Sequence, residues 1–244
     1  MIRVHNLSKS YPQGFILRAD DFTLQAGEIV GVLGANGSGK TTLFDLLTAN
    51  SDASDGEIWW DQERLTPEKY LLKRQIGYLP QNILLPKWVT GQEVLTYAAL
   101  LHQIPQPREH VQRAMEFWDC VSYRKRPLAA CSFGMQKRIG LALATLHDPT
   151  FLILDEPFSG LDLFHIHALE QAIQARQKAA KTTLLSTHVL PYVVQACARV
   201  FILDEGRVSE FSNWAEKASH EKTASIEQHF FQRRTSPWHQ QSVK

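Results

Sequence analysis

The stretch from residue 30 to residue 47 decides the fold, and it reads VGVL (30–33), GANGSGKTT (34–42) and LFDLL (43–47). An apolar run typical of a β-strand enters a glycine-rich turn, and a segment with helix-like apolar spacing leaves it. This is the context in which the pattern G-x-x-x-x-G-K-[ST] binds phosphate. The glycines let successive backbone N–H groups point inward, which forms an anion site at the start of a helix. The stretch therefore predicts a site for the phosphates of a nucleotide.

Two side chains of this phosphate loop have specific predicted roles. Lys40 is expected to reach the β- and γ-phosphates, and the Thr41 hydroxyl is expected to take a coordination position on Mg²⁺. The alternative is an ordinary glycine-rich turn before a helix, and the strand and helix on either side argue against it. The other loop residues predicted to contact the nucleotide are Gly34, Asn36, Gly37, Ser38, Gly39 and Thr42.

The composition limits the class of protein. A chain of 244 residues with 44% hydrophobic and 21% charged residues is typical of one large globular α/β domain, or of such a domain with an insert. A net charge of +1 gives no reason to expect a nucleic-acid partner. Three cysteines without close spacing indicate reduced thiols rather than a disulfide frame or a metal site. We find neither a signal-like amino terminus nor a spanning apolar run, and expect a cytoplasmic chain.

Strand-like and helix-like segments alternate along the chain, which predicts a mostly parallel, three-layer sheet. The predicted strands cover residues 2–7, 15–24, 28–33, 56–60, 76–79, 150–154, 182–186 and 200–203, and the predicted helices cover residues 91–102, 108–122, 136–146, 163–178 and 189–198. The composition from about 85 to 148 indicates a helical insert. We therefore expect one domain over residues 1–210 and an appended tail over 211–244, with no clear periodicity before residues 226–231.

Two adjacent carboxylates follow the apolar run over residues 150–154, at the carboxyl end of a strand that the pattern predicts to be buried on both faces. Asp155 is expected to hold Mg²⁺ through a water molecule. Glu156 would point to the other side and polarise an attacking water as a general base. Acids at strand ends are often simply solvated, but the phosphate loop upstream favours catalysis.

The order of these motifs, from about residue 2 to residue 208, resembles the nucleotide-binding domain of ATP-binding cassette (ABC) proteins. The resemblance implies an α/β, P-loop NTPase fold with a mostly parallel sheet core, an antiparallel β subdomain and an inserted helical subdomain. It also implies that the cofactors are ATP and Mg²⁺.

Four further residues match functional positions of the family. Gln81 matches a glutamine loop that touches Mg²⁺ and the attacking water, and His188 matches a switch histidine that contacts the γ-phosphate. Asp162 matches an aspartate loop at a dimer interface, and Tyr11 matches an aromatic residue that stacks on adenine. Considered alone, these residues would be a polar turn residue, a surface or core histidine, a helix N-cap and a tyrosine packed at a strand end.

The family signature L-S-G-G-Q occurs here in altered form as CSFGM over residues 131–135. Ser132 and Gly134 are retained, whereas Phe133 replaces the first glycine and Met135 the glutamine. Ser132 can cap a helix that starts near Gln136, so that the helix N-terminus faces a phosphate. The resemblance implies that this phosphate belongs to ATP bound on a second subunit. The variant resembles the signature of exporter ATPases.

The resemblance implies a transport ATPase subunit that dimerises on two MgATP, as a homodimer or with a second ABC ATPase subunit, on the cytoplasmic face of the membrane. Its partner would be a separate transmembrane permease, and export is the favoured direction. The apolar segment 83–89 around Trp88 would contact this permease; the alternative is that Trp88 packs inside the helical insert. The alternative is a soluble ABC ATPase acting on ribosome or DNA machinery. A non-hydrolysing regulatory cassette would lack Glu156 or His188, and both are present.

Overall fold

The structure, a computed structural model, describes residues 1–234, with side chains described through residue 229. The strands in this part of the chain are β1 Ile2–Ser10, β2 Ile16–Ala19, β3 Phe22–Leu24, β4 Ile29–Leu33, β5 Asp55–Trp60, β6 Glu63–Arg64, β7 Ile76–Leu79, β8 Phe151–Asp155, β9 Thr182–Ser186, β10 Arg199–Asp204 and β11 Arg207–Glu210. The helices are α1 Lys40–Leu47, α2 Tyr70–Lys73, α3 Gly91–Leu101, α4 Pro107–Phe117, α5 Phe133–Thr145, α6 Leu163–Lys178, α7 Leu190–Ala196 and α8 Ser219–Arg234.

The strands form one mixed sheet in the order β6-β5-β1-β2-β11-β10-β4-β9-β8-β7, with β3 paired to β1. Neighbouring strands from β10 to β7 run parallel, whereas β1 pairs antiparallel with β2, β3 and β5, and β5 pairs antiparallel with β6. Strand β11 joins the two parts, since it pairs antiparallel with β10 and parallel with β2. Every residue of β4, β8 and β9 is buried, as expected for central strands of a parallel sheet, and β4 and β8 are the apolar runs that predict this position. The predicted fold class, a parallel core with an antiparallel β part and inserted helices, is confirmed.

The sheet separates two apolar cores, and alternate residues of β4 show this division. Ile29 and Leu33 belong to the core that contains the inserted helices and α7, whereas Val30 and Val32 belong to the core with α1 and the antiparallel strands. Because side chains alternate between the faces of a strand, this division follows from the pleat. The three-layer arrangement leaves the carboxyl ends of β4, β8 and β9 at one edge, where ligands bind in such sheets.

The predicted strand over residues 15–24 is interrupted and forms β2 and β3 as separate strands. The reason lies in β1, which pairs with β3 at its start and with β2 at its end. Between these pairings Asn6 adopts a left-handed conformation with φ 43°. The Asp21 carboxylate accepts a hydrogen bond from the Asn6 N–H at 2.9 Å and lies 2.7 Å from the His5 ring. This local hydrogen bonding replaces strand pairing at the break.

The helical insert contains α3, α4 and α5, and two of its helices differ from the predicted bounds. The helix predicted over 108–122 ends at Phe117, because Asp119 has φ 49° and the chain continues as a 3-10 turn over Val121–Tyr123. The helix predicted over 136–146 begins earlier, at Phe133, where the capping residue Ser132 accepts a hydrogen bond from the Met135 N–H.

The segment after residue 210 contains more ordered structure than its sequence suggested. The Trp214 indole is buried and donates a hydrogen bond to the Cys197 carbonyl at 2.8 Å. Ile226 of α8 is buried in the same core as Val193 of α7. Residues 211–229 therefore pack on the domain, and a domain boundary near residue 210 stays a prediction. The last ten residues of the predicted tail, 235–244, lie outside the described part of the chain.

Candidate functional site

The phosphate loop joins β4 to α1 in a conformation that requires glycine at two of its positions. A Cβ atom on Gly34 would lie 2.4 Å from the Leu203 carbonyl oxygen and 2.6 Å from Ser38 Oγ. Gly39 has φ 112°, and a Cβ atom there would lie 2.8 Å from the Phe15 ring. Neither backbone position can accept a side chain without a shift of the loop. The loop is therefore shaped for close approach of a ligand to the backbone.

Two polar side chains of the loop are directed into it. Lys40 Nζ donates hydrogen bonds to the carbonyl oxygens of Gly34 at 2.8 Å and Ala35 at 3.1 Å. Burial lowers the pKa of Lys40, while the nearby Glu156 and Asp155 act in the opposite direction. Ser38 Oγ is buried without a hydrogen-bond partner in the described structure. Because an unsatisfied buried hydroxyl costs free energy, this group fits a loop that receives a polar ligand.

Asp155 ends β8 and is held from two sides. Thr41 Oγ1 donates a hydrogen bond to Asp155 Oδ2 at 3.2 Å, and Ser186 Oγ donates to Asp155 Oδ1 at 2.5 Å. Thr41 lies on α1 and Ser186 ends β9, so the contacts join the phosphate loop to two strand ends. A carboxylate and a hydroxyl at this spacing are the oxygen ligands that Mg²⁺ uses beside nucleotide phosphates. The residues present therefore fit the predicted cofactor.

Glu156 and His188 meet beside this pair. Glu156 Oε1 lies 3.0 Å from His188 Nε2, and the glutamate side chain is 10% exposed whereas the histidine is 63% exposed. The pair lacks hydrogen-bond alignment, and Oε1 has no other partner in the described structure. The Glu156 backbone has φ 48°, and its N–H donates a hydrogen bond to Ser186 Oγ at 2.9 Å. Backbone strain of this kind is common at functional sites.

Gln81 and Tyr11 lie at the margins of the site. Leu79 of β7 pairs with Leu154 of β8. Gln81 lies two residues after Leu79, and Glu156 lies two residues after Leu154, so both follow the same edge of the sheet. Gln81 is exposed there. The Tyr11 ring lies 6.2 Å from the Phe15 ring, which in turn covers Gly39. Gln81 therefore lies near the strand ends and Tyr11 near the phosphate loop, and the roles of both residues stay predictions.

The signature element and the loop 159–162 contact each other within the chain. A Cβ atom on Gly134 would lie 2.5 Å from the Gly160 carbonyl oxygen, and one on Gly160 would lie 2.4 Å from the Phe133 ring. Asp162 caps α6 by accepting a hydrogen bond from the His165 N–H at 3.0 Å. Ser132 and Asp162 are thus helix caps, and their role at an interface stays a prediction. Neither contacts the phosphate loop of this chain in the contacts described.

Three further residues at the site were not predicted from the sequence. Ser186 is the last residue of the predicted strand 182–186, and a hydroxyl at the carboxyl end of a central strand is a usable signal. Lys137 of α5 is buried, and its Nζ donates to the Asp155 carbonyl oxygen at 3.5 Å. The pKa of Lys137 is lowered by burial, and the charges of Asp155 and Glu156 oppose this shift without cancelling it. Phe15 carries no sequence signal, because its importance depends on a contact with Gly39.

Two further features are absent from the described residues. No group of three or more His, Cys, Asp or Glu side chains within residues 1–234 could hold a metal ion. A Mg²⁺ ion bound through one or two carboxylates plus substrate phosphates needs no such group. Within the same residues, no helix is both long enough and apolar enough to cross a membrane.

Comparison with known proteins identifies the family. A family model described as ABC transporter matches residues 17–159, which include the phosphate loop, the signature variant and the carboxylate pair. The chain belongs to the ABC transporter family. Among ABC transporter proteins it is 35% identical over 212 residues to an uncharacterised ATP-binding protein, YxlF, of Bacillus subtilis, covering 86% of this chain and 70% of that protein. The family assignment confirms the resemblance drawn from the motifs.

Two further ABC relatives are similar over most of this chain. It is 32% identical over 208 residues to the Nod factor export ATP-binding protein I of Sinorhizobium fredii, covering 84% of this chain and 61% of that protein. A solved structure of the ATP binding subunit of an ABC transporter has a TM-score of 0.82 and 26% identity, and covers 93% of this chain and 99% of that chain. The fold described above is therefore that of an ABC ATPase cassette.

Proposed function

We propose that this chain is the ATP-hydrolysing subunit of an ABC transporter, which dimerises on two MgATP and drives a separate membrane permease in export. One observation carries the ATPase part of the proposal. The phosphate loop, the Thr41–Asp155 pair and the Glu156–His188 pair lie together at the carboxyl edge of the sheet. This arrangement provides phosphate binding, oxygen ligands for a metal ion and a base, which are the parts that phosphoryl transfer to water requires.

The side chains divide this chemistry between them. The loop amides and Lys40 hold the β- and γ-phosphates, Tyr11 stacks on the base, and Thr41 and Asp155 hold Mg²⁺ with Gln81. Bound Mg²⁺ neutralises charge on the phosphate oxygens. The remaining loop contacts come from residues Gly34, Asn36, Gly37, Ser38, Gly39 and Thr42.

Glu156 is the base in this proposal. Its Oε1 is buried and no described residue gives it an aligned hydrogen-bond donor, so it can accept a hydrogen bond from the attacking water. His188 is largely exposed at 3.0 Å from this oxygen and can turn towards the γ-phosphate. Because the local dielectric constant around the buried carboxylate is low, its hydrogen bond from the water and its interaction with His188 are both strengthened.

Dimerisation is supported by apolar side chains around the signature element. Phe133 covers Gly160 yet remains 53% exposed, and Leu163 and Phe164, which follow Asp162, are 85% and 73% exposed. Large exposed apolar residues that cluster on one surface favour a protein interface. In the proposed dimer, Ser132, Gly134 and Asp162 face ATP held by the partner cassette, and closure excludes water.

The permease is proposed to bind at the segment 83–89. Trp88 is 79% exposed, so the alternative that it packs inside the insert is wrong. Leu84 is exposed beside it, and a cavity of about 250 Å³ lies next to them, lined by Ile83, Leu85, Lys87, Leu128, Ala129 and Gln136. An apolar surface with a cavity suits an inserted segment of a protein partner. Through this contact the chain would sit peripherally on the cytoplasmic face of the membrane.

Export is the proposed direction for two reasons. The Ser-x-Gly-Met signature resembles that of exporter ATPases, and one relative is named as a Nod factor export protein. The cargo would be recognised by the permease. The competing proposal, a soluble ABC ATPase acting on ribosome or DNA machinery, has the same ATPase site but no need for the exposed segment 83–89.

The test is affinity capture of Glu156→Gln from its native membranes in the presence of MgATP. We expect a polytopic membrane protein to co-purify, and we expect Trp88→Ala in the same background to lose it while still binding ATP. The matched control is Tyr97→Ala, which removes another exposed aromatic residue, on α3. Capture of ribosomal or DNA-repair proteins without a permease would contradict the transport function and favour the soluble alternative.

A further inference from the structure

A four-residue polar network joins the loop 159–162 to the signature helix. The network consists of Asp119, Arg138, Asp162 and His165, and His165 is buried within it. The His165 ring lies with Nδ1 2.7 Å from Asp162 Oδ1 and Nε2 2.9 Å from Arg138 Nη1. Arg138 Nη1 also lies 2.7 Å from Asp119 Oδ2 and 2.8 Å from the Asp119 carbonyl oxygen, so its two hydrogens are shared among three acceptors. Asp119 Oδ2 lies 3.6 Å from His165 Nε2. The network thus connects α5, α6 and the chain after α4.

The chemistry of these groups fixes the tautomer of His165. A guanidinium group only donates hydrogen bonds, so Nε2 must accept the one from Arg138. The proton of the neutral ring then lies on Nδ1, which donates to the Asp162 carboxylate. Hydrogen bonds from the His165 backbone and ring lower the pKa of Asp162. One tautomer therefore satisfies both ring nitrogens.

This tautomer holds Asp162 in a fixed relation to α5. Arg138 is six residues after Ser132, on the helix that Ser132 caps. The Phe133 ring packs against Gly160 from the same helix. The loop is consequently attached to the signature helix at two points. The first is the apolar contact between Gly160 and the Phe133 ring, and the second is the link from Asp162 through the His165 ring to Arg138. These two contacts couple the position of the loop to that of α5.

We propose that His165 is a positioning residue, whose neutral ring joins Asp162 to Arg138 so that the signature element and the loop 159–162 meet a second cassette as one surface. The inference rests on the proposed dimerisation on ATP. Loss of the ring would leave ATP binding to the single chain intact, because His165 has no described contact with the phosphate loop. It would weaken the closed dimer, which needs both elements in register at once.

The test compares variants of the full chain in the Glu156→Gln background. His165→Leu keeps an apolar body but removes both hydrogen bonds, whereas His165→Gln retains one donor and one acceptor. The matched control is His167→Leu, which alters a histidine on the same helix whose side chain is 69% exposed. The dimer dissociation constant is measured by sedimentation with MgATP, and ATP affinity is measured by calorimetry under conditions where the chain is monomeric.

We expect His165→Leu to raise the dimer dissociation constant about tenfold, which is typical for loss of a hydrogen bond to a charged group. ATP affinity should stay within about twofold, His165→Gln should recover most of the loss, and His167→Leu should match the parent. Nitrogen-15 NMR of the wild-type ring should show a proton on Nδ1 and none on Nε2.

Three results would overturn the inference. They are His165→Leu dimerising like its parent, a parallel loss of ATP affinity in that variant, and a ring protonated on Nε2. If the parent Glu156→Gln itself fails to dimerise on MgATP, the dimerisation in the proposed function is wrong. A normal parent with an unaffected His165→Leu variant contradicts the positioning role alone.

Discussion

Glu156 Oε1 lies 3.0 Å from His188 Nε2, although the carboxylate is almost buried and the imidazole is largely exposed. The two residues come from the ends of different strands, β8 and β9, which pair in parallel with Asp155 opposite Ser186. Parallel register therefore places the base and the histidine on one edge of the sheet. The contact holds the base beside a side chain that is free to move towards a ligand.

Glu156→Gln should abolish ATP hydrolysis and retain ATP binding. The amide keeps the shape of the side chain but cannot accept a proton from water, so we expect turnover to fall by at least about 100-fold. Steady-state phosphate release and equilibrium ATP binding measure the two effects. Glu227→Gln, which alters an exposed carboxylate on α8, is the control. A Glu156→Gln enzyme that hydrolyses ATP at the wild-type rate would show that another group is the base.

Lys40→Ala should bind ATP at least about tenfold more weakly than wild type, because hydrogen bonds from an ammonium group to phosphate are charge-assisted. Within residues 1–229, the hydrogen bonds of Lys40 Nζ go to the loop carbonyls of Gly34 and Ala35, so the fold should tolerate the change. Calorimetric titration with ATP checks the affinity, and circular dichroism checks the fold. Lys69→Ala, at an exposed lysine near Glu63, serves as the control. Unchanged affinity for ATP in Lys40→Ala would contradict the phosphate-loop assignment.

The sequence predicted the parallel core well, because central strands are short apolar runs between clear helix signals. The bounds of β7, α6 and β9 agree with the predicted ranges 76–79, 163–178 and 182–186. The break between β2 and β3 was missed, since it depends on the left-handed Asn6 of another strand. Local patterns contain no information about such a partner.

The candidate site was predictable where one motif supplies several residues in sequence. The phosphate loop and the Asp155–Glu156 pair are of this kind, and the structure brings them together through Thr41. Ser186 donates to the Asp155 carboxylate and Lys137 to the Asp155 carbonyl oxygen, both from distant segments, so only the folded chain reveals them. The order of α8 was missed for a related reason, because its packing depends on Trp214 and Ile226 rather than on a strong periodic pattern.

Ser186→Ala should lower both turnover and stability. The Ser186 hydroxyl donates to Asp155 Oδ1 and accepts from the Glu156 N–H, so its loss leaves two buried polar groups unpaired. We expect the free energy of unfolding to fall by about 1–3 kcal/mol, because buried groups are left unsatisfied. Urea unfolding and ATPase turnover are the measurements, and Ser209→Ala on the exposed face of β11 is the control. If Ser186→Ala has the wild-type free energy of unfolding and the wild-type ATPase turnover, Ser186 does not hold Asp155 and Glu156 in place.

Acid should destabilise the protein through His147. Burial and the stacked ring of His102, whose centroid lies 3.9 Å away, lower the pKa of His147 to about 4. Arg176 also lowers this pKa, whereas Asp148 and the hydrogen bond to the Ile76 carbonyl oppose the shift. His147 Nδ1 is buried and has no hydrogen-bond partner among the described side chains and backbone, so a second proton there would be unsolvated. The folded protein therefore binds this proton more weakly than the unfolded chain does.

The sign of the effect follows from these pKa values. A histidine in the unfolded chain has a pKa of about 6.5. Between that pH and about 4, the pKa of His147 in the folded protein, the unfolded chain binds a proton that the folded chain does not. The stabilising contribution is complete above about pH 6.5 and decreases as the pH falls towards about 4, by at most about 1.4 kcal/mol per pH unit. Urea unfolding at pH 5 and pH 7 should show this loss, and His147→Gln should reduce it. His167→Gln, at an exposed histidine, should leave the pH dependence unchanged; an equal reduction in both variants would exclude His147 as the source.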